Sequence, residues 1–112
     1  MSHTWTEILG DQDLQQIHSN SFTSPQLLFK HSPRCNISRM AKGRLSAEPQ
    51  LALYEVDVVH SRALSQEIAV RYAVHHESPQ LLILWKGECV FEASHFEINV
   101  KEFQEMMAEV QS

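Results

Sequence analysis

Apolar residues along this chain fall into short runs, separated by stretches in which they recur every three or four positions. A continuous apolar run bounded by turn residues reads as a buried strand, and recurrence at i, i+3, i+4 reads as a helix. Pro25–His31 and Leu51–Asp57 are runs of the first kind, as is Gln80–Trp85. Glu88–Ser94 alternates instead, which places Cys89, Phe91 and Ala93 on one face of a fourth strand. The intervening Lys86-Gly87 pair makes the last two strands a hairpin. Ile8, Leu9, Leu14 and Ile17 predict a short helix within Thr6–Asn20, capped by Asp11 or Asp13 and stopped before Ser24-Pro25. Ile37, Met40, Ala41 and Leu45 predict a second helix from about Cys35 to Leu45, with Gly43 weakening its end. Ser61 opens a third, with Leu64, Ile68, Ala69 and Tyr72 on one face. Asn99 caps a last helix, with Glu102 three residues on and Ile98 stapled to Phe103. Its apolar stripe is Val100, Phe103, Met107 and Val110.

The resulting order is α-β-α-β-α-β-β-α. Two strand–helix units pair in parallel through right-handed crossovers, and a hairpin completes the sheet. That is an α/β, thioredoxin-like arrangement: a central four-stranded mixed sheet flanked by helices. Pro79 heads a strand, where proline is tolerated, and the Ser78-Pro79 bond is a candidate cis bond.

Composition narrows the class. A chain of 112 residues, 43% hydrophobic and 21% charged, fits one globular domain spanning 1–112. A net charge of −5 argues against a general nucleic-acid binder. No apolar run approaches the ~20 residues of a membrane span, and no signal-peptide core follows Met1. The expectation is a cytoplasmic protein with no nucleic-acid or membrane partner. Two cysteines in such a chain are more often catalytic or inert than bridged.

The chemistry gathers where the first run gives way to helical spacing. Cys35 stands at the predicted helix N-terminus, where unpaired N–H groups and the helix dipole favour a negative charge. Such sites lower a cysteine pKa from about 8.5 into roughly the 3.5–7.5 range, which makes the thiolate a nucleophile. Arg34 and His31 add positive or polarisable charge. In Cys35-Asn36-Ile37-Ser38, Ser38 occupies the place of the second sulfur of a two-cysteine redox motif, so the site cannot close its own disulfide. The competing reading is an inert, buried cysteine. Cys89 is the sole internal thiol that could resolve Cys35, and its strand position makes it a core cysteine.

Lys30-His31-Ser32, Cys35-x-Ile37-Ser38, His76-Glu77-Ser78-Pro79-Gln80 and Ser94-His95 together resemble the bacterial YtxJ-like family, over about Trp5 to Val110. Its members are thioredoxin-fold monothiol proteins of the bacillithiol system, the bacilliredoxins. The resemblance implies that Cys35 attacks the mixed disulfide between a protein cysteine and bacillithiol. The small thiol moves onto Cys35 and the protein leaves reduced. It also implies that Ser78-Pro79 is a cis-proline loop facing the cysteine, with Ser78 backbone groups holding a substrate strand. Family members commonly carry proline after the cysteine, where this chain has Asn36.

The expected substrate-facing set is His31, Arg34, Asn36, Ser38, His76, Glu77, Ser78, Pro79 and His95, around catalytic Cys35. His76 or His95 would orient or protonate a leaving thiolate, against the alternative of loop histidines satisfied by backbone. His75 is expected to face solvent. No cofactor or metal is expected; bacillithiol or another low-molecular-weight thiol serves as co-substrate, and thiolated proteins are the partners. Cys35, His76 and His95 lack metal-ligand spacing, although some monothiol relatives hold an iron–sulfur cluster with an external thiol. A redox-inert, thioredoxin-fold binding or stress protein is the alternative from a different class. Fast alkylation of Cys35 near neutral pH separates the two.

Overall fold

The computed structural model describes residues 5–45, 52–94 and 100–111. The elements are β1 (Thr6–Glu7), α1 (Asp11–Asn20), β2 (Gln26–His31), α2 (Asn36–Leu45), β3 (Ala52–Asp57), α3 (Arg62–Arg71), β4 (Gln80–Trp85), β5 (Glu88–Ser94) and α4 (Val100–Gln111). The strands form one five-stranded mixed sheet in the order β1-β3-β2-β4-β5. β2 runs parallel to β3 and antiparallel to β4, and β4 and β5 form the hairpin.

The expected four-stranded sheet gains a strand. Thr6–Glu7, ahead of the first helix, is an edge strand parallel to β3, with Thr6 opposite Tyr54 and the Ile8 amide 2.8 Å from the Glu55 carbonyl. Two residues are too few to carry a period-2 signal, and only the exposed edge of β3 gives them a partner. The first helix accordingly starts at Asp11 behind Gly10, which offers no side-chain cap. Asp13 reaches back instead, accepting the Leu9 N–H at 2.8 Å.

The sheet divides the core into two layers. Leu27 and Phe29 of β2 join Leu53, Leu81, Ile83 and Ala93 under Ala41 and Leu45 of α2. Leu28 points the other way, to Val56, Leu82 and Leu84 beneath Leu14 and Ile17 of α1 and Leu64, Ile68 and Tyr72 after it. Both faces of β2 are covered, which is why Leu27, Leu28 and Phe29 are apolar in succession.

One expectation about the hairpin is corrected. Pairing shifts between Ile83 and Leu84, so that Ile83 opposes Phe91 while Leu84 opposes Cys89, leaving Val90 as the extra residue of a bulge. A bulge adds a residue to one strand and so interrupts alternation. Phe91 and Ala93 pack with the α2 layer, but Cys89 packs against the α1–α3 layer. Cys89 therefore does not share their face.

The turn behind this hairpin is tied to the chain before β2. Ser21 Oγ accepts the Gly87 N–H at 3.0 Å and donates to the His18 carbonyl at 2.6 Å. Gly87 has φ +80, and a Cβ there would stand 2.7 Å from Phe22. Leu51, Ile98, Asn99 and the side chains of Phe103, Met107 and Val110 lie outside the described residues, and with them the predicted cap and staple of α4.

Candidate active site

β2 ends at His31, and the chain turns through Ser32–Arg34 before α2 begins. The Cys35 amide bonds the Ser32 carbonyl at 3.0 Å, and the Cys35 carbonyl accepts the Arg39 amide at 3.1 Å. Cys35 is thus the N-cap residue of α2: its own carbonyl makes the helix's first bond while its half-buried thiol stands at the positive end. Asn36 and Arg34 are exposed beside it, and Asn36 Oδ1 accepts from the Arg39 guanidinium.

Ser38 is fully buried, at 0% exposure. Its hydroxyl accepts the Ser32 N–H at 3.0 Å and lies 2.6 Å from His31 Nδ1. His31 is held below the usual histidine pKa, first by burial and then by the nearby Lys42 charge. A neutral imidazole bonds Ser38 Oγ through Nδ1, as donor or as acceptor according to its tautomer. The ring stacks on Phe29 with centroids 5.8 Å apart. Where a two-cysteine motif would put a second sulfur, this chain has a hydroxyl engaged in holding the turn.

The second expected wall is the loop before β4. Its Ser78–Pro79 bond is cis, Pro79 is buried, and Ser78 Oγ is buried without a hydrogen-bond partner among the described residues. Gln80, fully buried, ties the loop down through Nε2 to the His75 carbonyl at 2.9 Å and to Glu92 at 3.1 Å. His75 is exposed, with Nε2 3.7 Å from Glu77. His95 lies outside the described residues.

His76 takes part in a contact that motif spacing did not bring out. Lys30, the residue after Phe29, is 0% exposed, and its Nζ lies 3.0 Å from His76 Nδ1. Ser65 Oγ of α3 is 3.2 Å from the same nitrogen. The imidazole is thereby anchored on the α3 side of the sheet. Burial lowers the Lys30 pKa to about 8 despite the pull of Glu92, and burial and Lys30 together lower that of His76. A lysine inside an otherwise apolar strand was the available signal; its partner, 46 residues away, was not visible.

Cys89 stands apart from all of this. Lys30 pairs with Gln80, and Gln80 with Ser94, at the Cys35 end of the sheet; Gln26 pairs with Leu84, and Leu84 with Cys89, at the other. Four residues of β2 separate the two levels, roughly 13 Å at ~3.3 Å per residue, well beyond the ~7 Å Cα limit for a disulfide. The Cys89 thiol donates to the Phe91 carbonyl at 3.2 Å, and burial pushes its pKa up to about 11. Among the described residues, no three His, Cys, Asp or Glu side chains are grouped to hold a metal ion.

A helix-capping cysteine and a cis-proline loop at the same end of this sheet define a thioredoxin-fold protein of the thiol-disulfide oxidoreductase class. A structure described as a candidate oxidoreductase with a thioredoxin fold matches with a TM-score of 0.83 and 27% identity, over 96% of this chain and 94% of its own. A thioredoxin from Halobacterium salinarum matches at 0.74 and 18% identity, over 96% and 91%. One from Nicotiana alata matches at 0.73 and 14%, over 95% and 91%; these two speak for the fold alone. The family model described as monothiol bacilliredoxin BrxC matches residues 6–103, and the chain belongs to that family.

Proposed function

We propose that this protein is a monothiol oxidoreductase that removes bacillithiol from protein mixed disulfides, with Cys35 as its nucleophile. The observation that carries the reading is the pairing of Cys35 at the α2 N-cap with Ser38, buried and hydrogen-bonded, where a second sulfur would stand. The Cys35 thiolate attacks the bacillithiol sulfur of the substrate disulfide. A bond forms between Cys35 Sγ and that sulfur, the protein–bacillithiol bond breaks, and the substrate leaves as a thiolate that takes up a proton. A second bacillithiol thiolate then attacks the bacillithiol sulfur held on Cys35. Bacillithiol disulfide departs and the Cys35 thiolate is restored.

Arg34, Asn36, Glu77 and the Ser78-Pro79 backbone are the groups assigned to receive the substrate strand. His31 and Ser38 act from beneath by holding the turn. Among the described residues no helix is long and apolar enough to cross a membrane, which is compatible with cytoplasmic clients. Intact-mass analysis after exposure to bacillithiol disulfide tests the mechanism. One bacillithiol adduct on wild type and on Cys89→Ser, absent from Cys35→Ser, is the expected result. A product lighter by two hydrogens, with Cys35 joined to Cys89, overturns it.

A further inference from the structure

On the other side of β2 from the cysteine turn lies a small cavity of about 110 Å³, lined by Val58, Arg62, Ser65, Gln66 and His76. Each of its polar side chains can donate a hydrogen bond, and no carboxylate lines it. In a chain of net charge −5 that is an unusual composition. Arg62 makes no ion pair with another described residue. Behind the wall stands the ammonium of Lys30, 3.0 Å from His76 Nδ1. An ammonium can only donate, so it occupies the Nδ1 lone pair and puts the imidazole proton on Nε2. Lys30 answers electrostatically to Glu92, and His76 to Glu77, but neither carboxylate enters the lining.

The rim of the cavity is tied through the backbone to the cysteine turn. Val58, on its rim, donates to the His31 carbonyl at 3.0 Å, and the Cys35 amide bonds the Ser32 carbonyl at 3.0 Å. Those two bonds and one residue of backbone leave the Val58 and Cys35 amides no more than about 13 Å apart.

We propose that this cavity is a carboxylate subsite for the small-thiol co-substrate, with Arg62, Gln66 and His76 Nε2–H as its donors and Lys30 as the residue that positions the imidazole. The inference rests on the reading of Cys35 as the acceptor of a small thiol; bacillithiol carries carboxylates on its malyl group, at the end of the molecule away from sulfur. A guanidinium is the group best shaped to grip such an anion.

Malate, which has no sulfur, tests the cavity independently of Cys35. Titration of the full-length reduced protein, followed by NMR, should give saturable shifts of the His76 ring and the Ser65 and Gln66 amides. Malamide should give none. Arg62→Gln, at an exposed position, should weaken malate by roughly tenfold, the share of one charge-assisted contact. Absence of saturable shifts, or equal binding by Arg62→Gln, overturns the subsite. The kinetic arm compares Cys35 uptake from bacillithiol disulfide with uptake from 2-hydroxyethyl disulfide. Arg62→Gln should slow the first alone, and equal slowing of both refutes the proposal. If wild-type Cys35 accepts neither thiol, the oxidoreductase reading fails, while malate binding still decides the cavity. For Lys30, ¹⁵N shifts of His76 should report a single Nε2–H tautomer in wild type and a mixture in Lys30→Met. A ring already mixed in wild type removes Lys30 from the argument.

Discussion

Replacing Lys30 by methionine should make the protein more stable, although it deletes a hydrogen bond. Lys30 is 0% exposed, and burial drags its pKa from 10.5 to about 8, with Glu92 offsetting only part of the effect. A base whose folded pKa lies below its unfolded value binds fewer protons when folded, in the window between the two. Wild-type stability should therefore gain as pH climbs from about 8 to about 10.5, and the burden of the charge is fully present below 8. At 1.36 kcal/mol per pKa unit the burden at pH 7 is about 3 kcal/mol. Methionine matches the lysine stem in length and keeps the packing. The lost contact to His76 gives back about 1 kcal/mol, so the net gain at pH 7 is about 2 kcal/mol. Cys89 and Tyr72, whose pKa values burial raises, pull stability the other way at alkaline pH. Both remain in the variant, so the difference between the two proteins isolates Lys30. Urea denaturation of each at intervals from pH 7 to 10 measures it. A Lys30→Met protein less stable than wild type at pH 7, or a difference that does not shrink above pH 8, would refute the reasoning.

Other expectations follow from single contacts. Ser38→Ala strands the half-buried Ser32 N–H and His31 Nδ1 and should cost about 1 kcal/mol, read as a lower denaturant midpoint. Cys89 should resist iodoacetamide at pH 8 in the native protein and react once denatured, because burial holds its thiol near pKa 11; rapid native labelling would contradict that environment. Gly87→Ala should cost at least about 1 kcal/mol of stability, read as a lower denaturant midpoint, since the residue has φ +80 and its new methyl would meet Phe22.

Much of this molecule was legible in local pattern. The apolar runs of β2 and β4 and the helical spacing of α2 and α3 sit close to where the sequence places them, because burial on both faces or on one stripe writes itself into residue order. The position of Cys35 was legible for the same reason: it marks the residue at which a strand period becomes a helix period. Other features depend on residues distant in sequence. Thr6–Glu7 becomes a strand only because the edge of β3 lies beside it. Cys89 changes face because a bulge at Val90 interrupts the alternation that a sequence reading must assume. The contacts of Ser38 to His31 and of Lys30 to His76 join positions seven and 46 residues apart, and no local period encodes them. The chain alone placed Cys35 at the start of a helix; the tertiary structure decided which side chains surround that turn, since hydrogen bonds and desolvation follow distance in space rather than along the backbone.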